Sequence, residues 1–369
     1  MSPVALSTLL TVAAAASGAV AQYTSFTSIP LVNKQYAYPT GIPYQVEPTG
    51  DIRGNQVGYN VCNSTTQNQE SMCQTLMVNS IDNFCLWSSP KPGETIADTE
   101  AEEVAWCTNK GYGTRMVPEG TLHGVSVFNT PDYTMFIAYL DQSQINLLAN
   151  DSGGELDPHG ADLLGNPMGA LVYSNAFPRG NTNNDSYTQV VEWVQFIGNG
   201  EMCIKICNPT TATADNVGLC NNIYDEIGID YNCPNPAKNG TFVVCDADSM
   251  NPVGVYTSNG QTLTYTQPAS GVVTSMPYTP TVPATSNCKT YQSTDLYTQL
   301  VAATPTGSGS STGTASGHSA TGTASGSKAS GTAGASSSAG ASSANGANAL
   351  HISAVASIAG VLFAGYFLS

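Results

Sequence analysis

Between residues 120 and 266 the chain alternates short apolar runs, rich in β-branched and aromatic residues, with clusters of Gly, Asn, Asp and Pro. Leu122–Phe128 and Tyr133–Leu140 flank Asn129-Thr130-Pro131-Asp132, while Gln189–Ile197 and Met202–Ile206 flank Gly198-Asn199-Gly200. Each pair reads as a β-hairpin, because turn residues between two short apolar runs fold one strand back on the other. Further strands are predicted at Ala170–Ser174, Thr241–Cys245, Gly254–Thr257 and Thr262–Thr266. The helix candidates are short: Thr99–Trp106, with Asp98 as a cap, and Asp215–Ile227. The pattern predicts a mainly β fold, a single antiparallel β-sandwich with a jelly roll as one arrangement, stapled by disulfides and followed by a disordered stalk. Residues 22–50, with Pro30, Pro39, Pro43 and Pro48, read as extended chain lying on that domain.

The pattern changes at both ends. Leu6–Val20 is apolar and ends in the small-x-small site Ala19-Val20-Ala21, as in a signal peptide over residues 1–21. Residues 22–300 then form one predicted disulfide-rich β-domain. From 301 to 349 the chain is almost wholly Ser, Thr, Gly and Ala, too polar to bury a core. Such a stalk is a candidate for O-glycosylation. Residues 350–369 carry an apolar run, Ala354–Leu368, shorter than the roughly 20 residues that span a bilayer. Small residues, a spacer and a short apolar tail are the form of a glycosylphosphatidylinositol (GPI) attachment signal. Asn345 is the expected attachment residue, with Ser342 and Ser343 as alternatives.

Ten cysteines lie in the domain: Cys62, Cys73, Cys85, Cys107, Cys203, Cys207, Cys220, Cys233, Cys245 and Cys288. An even number behind a secretory signal implies five disulfides, mostly paired within the clusters 62–107 and 203–245, with Cys288 joining the second. Metal binding would need paired C-x-x-C units or Cys with His at ligand spacing, and no His is near Cys203-x-x-x-Cys207. Neither a metal nor a cofactor is expected. Four sequons place accessible loops at Asn63, Asn150, Asn184 and Asn239. The net charge of −16 argues against nucleic acid as a partner, since binding phosphate needs basic patches. Membrane association is expected through the lipid anchor alone, and cell-wall or other glycans are the expected partners.

The densest polar segment is Gly153–Asp162, which holds Glu155, Asp157, His159 and Asp162 among three glycines and a proline. Carboxylates beside a histidine can bind ligands or act as acid and base. The same residues make a structured turn, with Asp157 accepting backbone N–H bonds and Asp162 supplying a partner to His159. The turn is the expected reading. Asp98, Glu100, Glu102 and Glu103 read as the solvated face of a helix. Within residues 22–300 no G-x-S-x-G, H-E-x-x-H or P-loop motif occurs.

Three segments, Tyr38–Val46 (YPTGIPYQV), Ile96–Cys107 (IADTEAEEVAWC) and Gly154–Asp162 (GELDPHGAD), resemble the fungal secreted proteins called macrophage-activating glycoproteins. Thr264–Pro268 is a weaker echo. The resemblance implies a cell-surface or cell-wall glycoprotein with no assigned catalytic residue. The expected function is therefore structural or adhesive, with glycan binding, on a GPI-anchored extracellular protein. The rival is a carbohydrate-active enzyme using two of Glu155, Asp157, Asp162, Glu100 and Glu102.

Overall fold

The strand pattern builds two packed sheets. In the computed structural model, residues 29–48, 58–268 and 273–302 are described. The predicted signal peptide, the stalk beyond residue 302, Ser342, Ser343, Asn345 and the terminal apolar segment lie outside them. Strands β1 (Thr75–Ser80), β2 (Asn83–Ser88), β3 (Val104–Cys107), β4 (Arg115–Met116), β8 (Leu171–Ser174) and β9 (Thr188–Val190) form one sheet, ordered β4-β3-β2-β1-β8-β9. The second sheet is β15-β12-β5-β6-β11-β10-β7. Its strands are β5 (Leu122–Asn129), β6 (Tyr133–Leu140), β7 (Gly154–Leu156), β10 (Trp193–Gly198), β11 (Glu201–Cys207), β12 (Phe242–Ala247) and β15 (Thr285–Thr290). A separate hairpin pairs β13 (Val255–Ser258) with β14 (Gln261–Thr264).

Both predicted hairpin turns form. Gly198 pairs with Glu201 across a two-residue loop whose Asn199 and Gly200 have φ of 51° and 76°. Two left-handed residues give the tight turn that matches strand twist, which is why Asn-Gly stands there. In the other turn the Thr130 hydroxyl accepts the N–H groups of Asp132 and Tyr133 at 3.2 and 2.9 Å.

The sheets face each other across the main core. Trp87 of β2 meets Trp193 of β10 with ring centres 4.4 Å apart, and Phe84 meets Phe136 at 5.3 Å. Burying side chains of this size contributes about 1.5–3 kcal/mol each. One polar group bridges the layers. Gln195, fully buried on β10, accepts from the Trp87 N–H at 2.9 Å and donates to the Trp87 carbonyl at 2.8 Å.

The centre of the seven-stranded sheet, at β6, β11 and β10, is buried on both faces, so these strands read as continuous apolar runs. On β11, Met202, Ile204 and Ile206 point into the main core, while Cys203 and Cys207 point outward into a second cluster with Phe196, Tyr133 and Met135. Loops from residues 208 to 253 cover that outer face, contributing Cys220, Tyr224, Ile227, Cys233 and Met250. Two disulfides fasten this layer to β11: Cys203–Cys233 and Cys207–Cys220. The other bridges are Cys62–Cys73, Cys85–Cys107 and Cys245–Cys288, so all five pairs fall as the sequence clusters implied.

The fold amends several expectations. Three ladders are parallel, β1/β8, β3/β4 and β5/β12, where an antiparallel sandwich was expected. The helix expected at Thr99–Trp106 shrinks to one turn, α1 (Ile96–Thr99), capped by Thr95, whose hydroxyl accepts the Asp98 N–H. Val104–Cys107 is instead strand β3, because Cys107 lies opposite Cys85 and bonds to it. The helix expected at Asp215–Ile227 is mostly turn, held by the Cys220 bridge. Only Asp225–Ile227 forms a 3₁₀ turn, followed by α2 (Gly228–Asn232). The β1/β2 hairpin was not foreseen, since Asn79, Ser80, Asp82 and Asn83 interrupt its apolar pattern. Val301 bridges to Pro118, so ordered pairing continues one residue past the expected domain limit.

Replacing Cys203 and Cys233 together by Ala opens a loop whose ends are 30 residues apart. Loop-closure entropy puts the expected loss at about 3–4 kcal/mol, read from urea unfolding without reductant. A loss below about 1 kcal/mol would show that packing alone holds the outer layer.

Candidate functional site

The edge strand β7 carries the polar segment singled out in the sequence. Gly153 places it: φ is +86°, and a Cβ there would stand 1.7 Å from the Ile197 carbonyl oxygen. No residue with a side chain lets the chain pass so close to β10. Beyond Gly153, Gly154 pairs with Ile197, Glu155 with Phe196 and Leu156 with Gln195. Strand alternation sends Leu156 into the main core and leaves Glu155 and Asp157 on the outer face.

Asp157 closes the turn that follows. Its Oδ1 accepts the His159 N–H at 2.7 Å and the Gly160 N–H at 2.8 Å, and Nδ2 of Asn222 approaches at 3.4 Å. Its backbone exchanges both bonds with Asn166, at 3.0 and 2.7 Å. Asp162 is buried and accepts the Leu164 N–H at 3.1 Å. It does not hold His159. His159 Nε2 lies 2.9 Å from Oε2 of Glu192, which is fully buried. Burial works against a charged His159, yet the Glu192 bond outweighs it and the imidazole pKa is raised. Burial raises Glu192 more than the histidine lowers it. Sequence reasoning missed Glu192. Its signal was a lone acid inside the apolar run Val190–Ile197, which marks a buried carboxyl with a distant partner.

Glu155 is different. It is 8% exposed, its Oε1 has no hydrogen-bond partner, and burial pushes its pKa well above the ordinary value, with Asp157 and Asp225 adding to the rise. Lys205, fully buried two strands away on β11, opposes that rise through its charge, and its Nζ donates to the Asn232 carbonyl at 2.6 Å. Burial pulls the Lys205 pKa down to about 7, with Glu155 opposing.

Glu155 and Asp157 line an open cleft of about 640 Å³ between α1 and the loop at Asn222–Glu226. Glu100, Asp225 and Glu226 line it too. Gly153, Gly154, Asp225 and Glu226 are shared with an adjoining hollow of about 480 Å³ that runs to Asp230 and Tyr231. Tyr231 in turn borders a third hollow of about 320 Å³, where the rings of Tyr256 and Tyr278 stack 4.8 Å apart. The hollow at the β7 end is acidic, and the one beyond Tyr231 is tyrosine-lined. Among the described residues no Lys or Arg lines any of the three. Among the described residues no group of three or more His, Cys, Asp or Glu is arranged to hold a metal ion.

The second acidic cluster divides. Glu100 faces the cleft and Asp98 is exposed, whereas Glu103 is fully buried and accepts from the Thr99 hydroxyl at 2.5 Å. The solvated helix face expected there ends at Glu102, because the chain turns into β3. The sequon residues Asn63, Asn150, Asn184 and Asn239 are all exposed.

Asp157→Ala leaves the His159 and Gly160 N–H groups without their acceptor. The expected cost is about 1–3 kcal/mol, seen in chemical denaturation. An unchanged midpoint would show that water replaces the carboxylate. The pH dependence has a sign. The carboxyl shifts resolved at Glu47, Glu103, Glu155, Glu192, Glu201 and Glu226 are all upward, as is that of His159. Groups raised on folding give stability that is complete below their unfolded pKa and lost as pH climbs through the folded value. Lys205, lowered to about 7, gives stability that grows only as pH rises above that value. The melting temperature is therefore expected to fall from about pH 5 to pH 7, and Glu155→Gln to flatten the slope. A steady rise over that interval would contradict the buried-acid account.

No family model matches the chain, and no solved structure matches it. Two fungal proteins do. Appressorium protein ROW1 of Mycosarcoma maydis is 39% identical over 204 residues, covering 55% of this chain and 46% of that protein. Appressorium protein ROW2 of the same fungus is 36% identical over 221 residues, covering 59% of this chain and 73% of that protein. The chain thus spans about half the length of ROW1 and nearly three quarters of ROW2. The match to ROW2 covers enough of both sequences to place this chain in the fungal family of the appressorium proteins ROW1 and ROW2.

Proposed function

We propose that this protein is a secreted glycoprotein of a fungal cell surface, held there by a GPI anchor, whose β-domain binds wall glycans in a structural or adhesive role. The open cleft at the β7 edge and the hollow adjoining it carry the reading. They are lined by carboxylates and Tyr231, side chains that hydrogen-bond and stack on sugars. Five disulfides and four exposed sequons fit an oxidising, extracellular setting. The composition of residues 301–369 supports the stalk and the lipid attachment at Asn345. The names of the two appressorium relatives suit a surface that meets other surfaces. The likeness to macrophage-activating glycoproteins would make those proteins members of the same surface family.

A carbohydrate-active enzyme is the second reading, favoured by Glu155, whose pKa burial raises and which lines the cleft beside Asp157, as a proton donor would. Asp157 argues the other way, since the turn already engages its oxygens.

Phosphatidylinositol-specific phospholipase added to intact cells is expected to release the protein, and the released chain to retain wall polysaccharide without shortening it. Retention on cells while a control GPI protein is released would overturn the anchor. Steady appearance of reducing ends, abolished by Glu155→Gln, would replace binding by catalysis.

A further inference from the structure

Lys205 is fully buried, and none of the ion pairs among the described residues includes it. It projects from the outer face of β11 between Cys203 and Cys207, under the loop layer. Its Nζ meets the Asn232 carbonyl at 2.6 Å, the Met250 sulfur at 3.4 Å and the centre of the Tyr133 ring at 5.7 Å. A protonated amine would bring three N–H groups to surroundings with one strong acceptor. Burial accordingly favours the free base, with the pKa lowered to about 7. A buried free amine is a nucleophile.

What it lies against is a residue with a side-chain amide. Asn232 is 1% exposed, and its Nδ2 is held by the Tyr224 and Gly228 carbonyls at 2.8 and 3.0 Å. Its Oδ1 is buried and, among the described residues, has no partner. Glu155, on the same face of the sheet two strands away, is the acid whose charge acts on Lys205. Burial favours its protonated form, and its Oε1 is likewise closed off and unpaired. A protonated acid can donate to an orphaned amide oxygen. An amine, an amide and a protonated acid thus lie buried against one face of the sheet. Holding reactants together in this way is worth an effective concentration of about 10⁵–10⁸ M, and the exclusion of water removes the competing hydrolysis.

We propose that Lys205 and Asn232 become joined by an isopeptide bond within the folded domain. The Nζ lone pair attacks Cγ of Asn232, and the C=O pair moves to Oδ1 as the new C–N bond forms. Glu155 donates a hydrogen bond to that oxygen and carries a proton from Nζ to Nδ2. The oxygen pair then returns, the bond from Cγ to Nδ2 breaks, and Nδ2 leaves as ammonia with the proton that Nζ gave up. One amine and one primary amide become one secondary amide and ammonia, and Glu155 ends as it began. Escape of the ammonia makes the step one-way. The link runs from β11 to α2 beside Cys203–Cys233, and thiols do not open it. It closes nearly the same loop as that disulfide. The loss expected on removing Cys203 and Cys233 is therefore that of the unlinked chain, and Lys205→Met is the background in which to read it.

The test is peptide mass mapping of the full chain, reduced, alkylated and stripped of N-glycans. Trypsin cuts after Arg179 and Lys238, and after Lys205 only while its amine is free. The expected product is one fragment, residues 180–238, lighter by one ammonia. Chymotrypsin should then divide it into pieces of which two stay joined at Lys205 and Asn232. Lys205→Met and Asn232→Ala are each expected to abolish the mass loss, and both variants, once reduced, to run more slowly than the wild type in a denaturing gel. Glu155→Gln is expected to slow linking about 100-fold, with the circular dichroism spectrum and the five disulfides intact. Full linking of freshly secreted Glu155→Gln would take that residue out of the reaction. Recovery of residues 180–205 and 206–238 from the wild type as separate peptides of unaltered mass would overturn the bond itself.

Discussion

Everything at the site depends on two cysteines four residues apart on one strand. Cys203 and Cys207 share a face of β11, as alternation requires, and that face points away from the main core. Their bridges to Cys233 and Cys220 pull an irregular layer, largely without strands, over the outer face of the seven-stranded sheet. A loop layer of this kind has little regular hydrogen bonding of its own. It stays in place through cross-links and through the apolar contacts of Tyr224, Ile227 and Met250. The layer ends at Asp225 and Glu226, just short of β7. The gap it leaves is the cleft. Without the staples there would be no second wall, and Glu155 would lie on an open sheet edge.

The second constraint is electrostatic. Glu103, Glu155 and Glu192 are each buried, and each has one carboxyl oxygen without a partner. An ionised carboxylate in such a place costs several kcal/mol, whereas the protonated acid costs far less. The raised pKa values are therefore the way the fold accommodates these acids, and they explain why a chain of net charge −16 can still bury several of them. Lys205 does not neutralise them. It satisfies itself on the Asn232 carbonyl and the Met250 sulfur and is itself driven towards its neutral form. Burial thus favours the neutral form of several ionisable groups in the interior. Glu155 differs from Glu103 and Glu192 in lining an opening, although its unpaired Oε1 is itself closed off from the cleft.

Much of this was legible in the chain. The hairpin at Asn199-Gly200 follows from two residues that tolerate left-handed backbone, and the limits of its second strand come within a residue of those in the structure, whereas the expected first strand, Gln189–Ile197, divides between β9 and β10 in different sheets. The disulfide clusters followed from spacing, and the turn at Asp157 from Gly, Pro and a short acid. Other features were hidden because local pattern competed with tertiary contact. Val104–Cys107 looked helical after four acids, but pairing with β2 and the bond to Cys85 made it a strand. Asp162 was the near neighbour of His159 in sequence, yet the backbone turns Asp162 towards Leu164, and the fold delivers Glu192 from 33 residues away.

The sequence by itself determined a β-rich, disulfide-stapled domain with a polar turn at Glu155–Asp162, since residue type, period-two alternation and turn chemistry act over a few residues. The tertiary structure decided which of those polar groups faces a cavity. Glu155, Asp157, Glu100 and Glu226 look alike as a string. Only the placement of the loop layer makes one of them, Glu155, a nearly buried side chain with an unsatisfied oxygen beside a cleft. Burial and desolvation depend on everything that packs nearby, and contacts across tens of residues leave no local trace in the order of amino acids.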